Sequence, residues 1–170
     1  MMGSPVNIRL AVPADAPDMA EIHMRSWEAA YKDIIPAEFI SEKNATRHEL
    51  YKRVITKGNK NTYVIQCRDK TIGIMRVAPS MDADALDNWY ELQFIYLHPH
   101  YYRQGIGTQA MAFACDIARS LNKKTMVVWV LEENINSTKF YEKCGFLADG
   151  KTSERKYGKV VNCVRMRKDI

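Results

Sequence analysis

The segment Arg103-Gln104-Gly105-Ile106-Gly107-Thr108 joins a β-type run to an amphipathic helical pattern. Glycines there permit a tight turn and let a ligand approach the backbone. The free N–H groups of a helix start then point at that ligand, and the helix dipole favours an anion. Arg103 adds positive charge. The chemistry predicted is the holding of a phosphate or pyrophosphate. Gly105, Gly107 and Ala110 also fit the dinucleotide pattern G-x-G-x-x-A, with Glu132 near its acidic position. Two features weigh against an NAD site. A polar loop separates Leu97 from the glycines, and only one strand-helix-strand crossover is visible, which is too little for a dinucleotide domain. A simple strand-to-helix turn is the plain structural reading of the glycines taken alone.

Other residues offer less. Cys67, Cys115, Cys144 and Cys163 show no C-x-x-C spacing and fall in apolar patterns, so they read as buried reduced thiols. His98 and His100 flank Pro99 without nearby carboxylate or sulfur partners, a poor metal site, and read as loop residues. No metal is expected.

The elements that must position the glycine loop follow from periodicity. Residues 6–10 alternate as a first strand. Asp15 suits a helix N-cap with Pro17 in the first turn, and helical spacing runs to about Tyr31. Residues 37–40 suggest a short helical turn, and 46–57 a helix ended by Gly58-Asn59. Residues 63–67 and 71–77 are β-rich and close on a tight hairpin at Arg68, Asp69 and Lys70. A loop covers 79–87, and 89–97 is the longest β-type run. Ile106, Ala110, Phe113, Ala114, Ile117 and Leu121 then mark an amphipathic helix. Residues 125–131 are nearly all apolar, as in a strand buried on both faces. A short helix over 136–143 ends at Cys144-Gly145, Phe146 starts a strand, and 159–166 alternates as the last. This order gives an α+β, mixed-sheet domain of about six to seven strands flanked by helices, one unit over residues 1–170. The crossover over 89–131 is expected to be parallel and right-handed.

Composition sets the outer bounds. With 170 residues, 46% apolar and 26% charged, the chain can bury a sizeable core and is not a disordered one. No apolar run approaches the roughly 20 residues of a membrane span. The start MMGSPVNIRL lacks the marks of a signal peptide, which favours the cytoplasm. The net charge of +5 is scattered, without the basic stripe that nucleic-acid binding requires.

A second motif makes the reading specific. After Val130-Leu131-Glu132-Glu133 comes Asn134-Ile135-Asn136-Ser137-Thr138-Lys139-Phe140-Tyr141-Glu142-Lys143-Cys144-Gly145-Phe146. Together with R-Q-G-I-G-T, in the same order and at a similar separation, this resembles the GNAT superfamily of N-acetyltransferases over roughly residues 91–149. One departure is Tyr102, where family members often carry Gln or Arg. Backbone amides do most of the phosphate binding, so the motif should survive it.

The resemblance implies a GNAT-like fold in which two strands splay and the pantetheine arm of acetyl-CoA lies between them. Ile95, Tyr96 and Leu97 should line that opening. The amides of Arg103, Gln104, Gly105, Ile106, Gly107 and Thr108 should cradle the pyrophosphate, and Asn134, with Ser137 beside it, should contact the arm. Tyr141 resembles the family's general acid, and a core aromatic beside Phe140 is its plain structural reading. Glu91 stands where several members place a catalytic carboxylate; facing the cleft it would serve as base, and facing solvent it would do nothing special. Trp27, Tyr31, Ile35 and Phe39 could wall the acceptor site, although core packing accounts for their spacing better. The expected activity is transfer of acetyl from acetyl-CoA to a primary amine of a small molecule or protein, with a homodimer by family habit and the last strand as its candidate interface. A non-catalytic CoA-binding module on the same fold is the alternative.

Overall fold

Seven strands and five helices occupy residues 6–170, the part of the chain that the computed structural model describes. Residues 1–5, half of the segment read above for a leader, lie outside the described residues. In chain order the elements are β1 (Asn7–Leu10), α1 (Ala16–Tyr31), α2 (Ala37–Asn44), α3 (Arg47–Thr56), β2 (Thr62–Cys67), β3 (Lys70–Pro79), β4 (Trp89–Leu97), α4 (Ile106–Ser120), β5 (Thr125–Leu131), α5 (Ile135–Lys143), β6 (Leu147–Lys156) and β7 (Val160–Asp169). Three-residue 3-10 turns at Pro13–Asp15 and Pro99–Tyr101 fill two of the connections.

The strands form one mixed sheet in the order β1-β2-β3-β4-β5-β7-β6. Among the described residues only β4 and β5 pair in parallel, and α4 is the crossover between them. Every other neighbour is antiparallel. A doubly wound dinucleotide domain needs a run of parallel strands, so the NAD reading falls. The β2–β3 hairpin turns on Arg68 and Asp69, both with positive φ (49° and 62°), the twist that a two-residue hairpin loop requires.

Both faces of the central strands are covered, which is why β3 and β5 are apolar along most of their length. On one face α1 and α3 bring Met19, Ala20, Ile22, Tyr51 and Ile55 against Val64 and Ile74. On the other, Ile106, Ala110, Ala114 and Ala118 recur every four residues along α4 and meet Met75, Leu92, Met126 and Val128. A third cluster joins Trp27, Ile35 and Ile40 to Leu131, Val161 and Cys163. Trp27 and Ile35 are buried in it, and Tyr31 and Phe39, partly buried, pack against it. The four cysteines are free thiols, two of them buried.

Three local expectations change. α2 is eight residues long rather than a brief turn. Asp15 places no side-chain cap on α1; its carboxylate binds Arg9 at 2.8 and 2.9 Å and accepts the Val12 N–H at 2.8 Å, tying β1 to the helix start. The last strand is not an edge. β7 is inserted between β5 and β6, so its backbone is paired on both sides and its position argues for no interface. The edge on that side is β6, whose Lys151, Glu154, Arg155 and Lys156 are the charges that discourage further strand pairing.

Candidate active site

β4 and β5 stay together for only three pairs: Trp89↔Thr125, Tyr90↔Met126 and Glu91↔Val127. Beyond Glu91, β4 continues with β3 to Leu97, while β5 continues with β7 to Leu131. The strands therefore part, and backbone groups of residues 92–97 and 128–131 face an opening with no strand partner across it. A bulge explains the change in β4. Val77 pairs with Leu92 and Arg76 with Phe94, which leaves Gln93 as an extra residue. Such a bulge bends and twists its strand. It also resets the alternation. Leu92, Ile95 and Leu97 pack on the α4 side, whereas Phe94 and Tyr96 pack on the α1 side. Ile95, Tyr96 and Leu97 thus flank the opening from both faces.

The glycine loop lies at the end of β4. Gly105 is the N-cap of α4 at φ 76°, a left-handed conformation that costs a residue with a side chain about 1–2 kcal/mol. A Cβ there would meet nothing within 4 Å, so the requirement is conformational. Gly107 differs. It has no positive φ, and a Cβ would lie 3.1 and 3.2 Å from the Phe140 ring. Its missing side chain lets α5 pack against the start of α4. A glycine N-cap also offers no side chain to the first helical N–H groups, so those of Ile106, Gly107 and Thr108 are left for an anion. Arg103 and Thr108 are exposed beside them, and Gln104 holds the loop through a 2.8 Å bond from Nε2 to the His100 carbonyl. The loop residues fit a pyrophosphate.

Across the opening, Asn134 is buried and caps α5, its side-chain oxygen accepting the Ser137 N–H at 3.2 Å. This cap orients the amide nitrogen as the free donor end and fixes Ser137 in the same turn. Tyr141 projects from α5 with its ring against Phe140 and Phe146. Burial, with Tyr96 and Cys144 nearby, raises its pKa, so the phenol keeps its proton at neutral pH. Among the described residues nothing hydrogen-bonds its hydroxyl. Both readings of Tyr141 therefore hold for different atoms: the ring is core and the oxygen is uncommitted.

Glu91 is the last β4 residue paired to β5 and sits half-buried at the vertex of the opening. Burial and the neighbouring Asp82 carboxylate raise its pKa, while Arg155, the Met81 N–H and the Ser80 hydroxyl oppose the rise. No contact joins it to Tyr141 among the described residues, so a proton reaching Glu91 from the opening must travel through water.

On the α1 side the opening is bordered by a cluster of which sequence reasoning named Trp27, Phe39 and Tyr96 but not His23, Arg47, Tyr51 or Tyr157. His23 stacks on Tyr96 with ring centroids 4.3 Å apart, and its Nδ1 lies 2.8 Å from the Tyr51 hydroxyl. Burial and then Arg47 push its pKa down to about 2, so the ring is neutral. Arg47, at the start of α3, is only 8% exposed and lies 4.5 Å over the Trp27 ring. Tyr157, beside the β6–β7 turn, stacks on Phe39 and closes the cluster. Nothing local announces this group, because an Arg-His pair opening a helix reads as solvent-exposed.

The acetyltransferase (GNAT) family profile matches residues 16–146, beginning well upstream of the two motifs and spanning both. A probable N-acetyltransferase of Mycobacterium tuberculosis, Rv2775, is 25% identical over 155 residues, covering 89% of this chain and 86% of that protein. YuaI of Bacillus subtilis, an uncharacterized N-acetyltransferase, is 29% identical over 131 residues, covering 76% of this chain and 73% of YuaI. The fold matches that of the PaiA N-acetyltransferase from Thermoplasma acidophilum, solved in complex with coenzyme A, with a TM-score of 0.79 at 20% identity, over 98% of this chain and 99% of that one.

Proposed function

The chain belongs to the acetyltransferase (GNAT) family and is an N-acetyltransferase; from that premise we propose that it transfers the acetyl group of acetyl-CoA directly to a primary amine, both substrates being bound together. One observation carries this reading: β4 and β5 part immediately after Glu91↔Val127, and the opening ends at the glycine-capped start of α4. An extended thioester can lie along unpaired strand backbone with its pyrophosphate on the helix start. PaiA, of the same fold, was solved with coenzyme A.

Each residue then has a task. The amides of Ile106, Gly107 and Thr108 hold the pyrophosphate, and Arg103 adds charge. Ile95, Tyr96 and Leu97 border the pantetheine arm, and the Asn134 amide donates to it. Acetyl-CoA supplies an activated acyl carbon. As the amine adds, a C–N bond forms and the C–S bond breaks. The carbonyl oxygen gains negative charge, and an unpaired N–H of β4 beyond Gln93 stabilises it. An alkylammonium has a pKa near 10 and cannot attack, so its proton must leave first; Glu91 receives it through water. Tyr141 gives its proton to the departing thiolate. Acceptors range from small amines to protein amino groups. A cytoplasmic location goes with this reading, since four free thiols suit a reducing compartment.

The test is calorimetric titration with acetyl-CoA, with NAD as control, followed by thiol release in the presence of an amine panel. Saturable acetyl-CoA binding with amine-dependent thiol release supports the proposal. Binding without turnover on any amine points to the non-catalytic module, and absence of acetyl-CoA binding overturns the reading.

A further inference from the structure

Three buried nitrogen atoms without hydrogen-bond partners meet in one place, His23 Nε2 and the Nε and Nη2 of Arg47, beside Trp27, whose indole N–H is directed at the Tyr96 hydroxyl. Their residues both contact Trp27, with His23 and Trp27 ring centroids 5.4 Å apart and the guanidinium 4.5 Å over the indole. An unsatisfied buried donor is costly, and a buried cation without a counter-charge more so. No carboxylate lies within ion-pair distance of Arg47 among the described residues. Its electrostatic neighbours are the phenols of Tyr96, Tyr51 and Tyr157, and burial lowers its pKa. With Tyr51 donating to His23 Nδ1, the ring proton sits on Nε2 and all three atoms are N–H donors. Such a set, carrying one positive charge and no acceptor, is complementary to a singly charged oxyanion.

The cluster adjoins the reactive opening. Tyr96 belongs both to the strand segment that borders it and to the stack on His23, and it is an electrostatic neighbour of Tyr141. Coenzyme A is expected along the strands and the α4 start, so the α1 and α3 side is left to the acceptor. We propose that Arg47, with His23 and Trp27 beside it, binds the carboxylate of the acceptor, so that the substrate class is a small amine that also bears a carboxylate group. This rests on the acetyl-transfer reading above. A carboxylate is favoured over a phosphate because one guanidinium balances one charge, and no second cation appears among the groups acting on Arg47.

The experiment compares matched acceptors on the full-length protein. Glycine, leucine, methionine, phenylalanine, β-alanine and 4-aminobutyrate are set against their amides, with aminomethylphosphonate as the phosphonate arm. Wild type is expected to prefer the acid of at least one pair by about 10- to 100-fold in kcat/KM, the range of a charge-assisted hydrogen bond, mainly through KM. Arg47→Met should bring that ratio close to one while leaving acetyl-CoA affinity unchanged, and Arg47→Lys should restore part of it. Thermal unfolding supplies the second readout. An unpaired buried cation replaced by methionine should leave Tm unchanged or higher, whereas a purely structural cation–π role lowers it. The inference is overturned if amides, or amines without any anion such as putrescine, match or exceed the acids, if the phosphonate is preferred, or if Arg47→Met lowers Tm with the acid preference intact. Those outcomes leave acetyl transfer standing. Loss of acetyl-CoA binding by wild type would instead remove the reading beneath it.

Discussion

Replacing Tyr141 by phenylalanine removes one oxygen from a side chain whose ring is fixed by Phe140 and Phe146. Because no hydrogen bond to that hydroxyl exists among the described residues, folding loses no bond, and the stability change should stay below about 0.5 kcal/mol. The catalytic cost is of another size. If the hydroxyl supplies the proton that the departing thiolate needs, kcat should fall by about 10²- to 10⁴-fold, which is about 2.7–5.5 kcal/mol of barrier. The affinity for acetyl-CoA should stay within about twofold, since the hydroxyl contributes to the transition state and not to ground-state binding. Steady-state thiol release at saturating amine measures the first quantity, calorimetry the second and thermal unfolding the third. Burial raises the pKa of Tyr141, so the wild-type rate should keep its acid well into the alkaline range. A variant with kcat within threefold of wild type and an unchanged Tm would refute the acid role. A loss found only in acetyl-CoA affinity would do so as well.

Glu91 has a raised pKa and accepts protons only when ionised, so the wild-type rate should climb with pH through that pKa; Glu91→Gln should lower kcat/KM by about 10²-fold and flatten the acid limb, and an unchanged limb would assign the base elsewhere. The two glycines should separate in their effects. Gly105→Ala should cost about 1–2 kcal/mol of stability through its φ of 76°, while Gly107→Val, driven into Phe140, should weaken acetyl-CoA binding by tenfold or more in calorimetry. Arg165 is 3% exposed and bonds Asp82 at 3.0 Å, Asp84 at 2.7 and 2.9 Å and Asp149 at 2.8 Å, so it pins the loop before β4 and strand β6 to β7. Arg165→Met should lower stability by about 3 kcal/mol or more in urea unfolding, since it strands partly buried carboxylates. Hydrogen bonding to Arg165 lowers the pKa of Asp84; at Asp149 burial pushes the other way, and the Arg165 bond, the Lys151 N–H and the charges of Arg165 and Arg167 together leave the pKa lowered. Carboxylates lowered in this way stabilise the fold above their unfolded pKa of about 4 and lose that contribution as pH falls below it. Wild-type Tm should therefore drop below about pH 4, and Arg165→Met should show a shallower drop.

Much of the molecule is determined by short-range regularities. The four-residue recurrence of Ile106, Ala110, Ala114 and Ala118 specifies a helix with one buried face, and the apolar run over β5 specifies a strand covered on both sides. Gly105 needs only its own backbone to stop one element and begin another, so the candidate anion site at α4 is visible without any tertiary contact. The motif ending in Tyr141 carries the helix cap and the acid candidate together in one turn sequence. Other features depend on residues distant in the chain. The extra Gln93 in β4 exists only relative to β3, and it opens the strands beside Glu91. β7 slips between β5 and β6, which no local pattern states. Gly107 is needed because Phe140 arrives 33 positions later to lie against it. Arg47 opens a helix with the look of a surface residue, and it is Trp27 of α1, Tyr96 of β4 and Tyr157 beside the β6–β7 turn that enclose it. Periodicity records which face of an element is buried, because burial acts on each residue in turn. It does not record which residues of different elements converge, because that depends on how the faces are assembled.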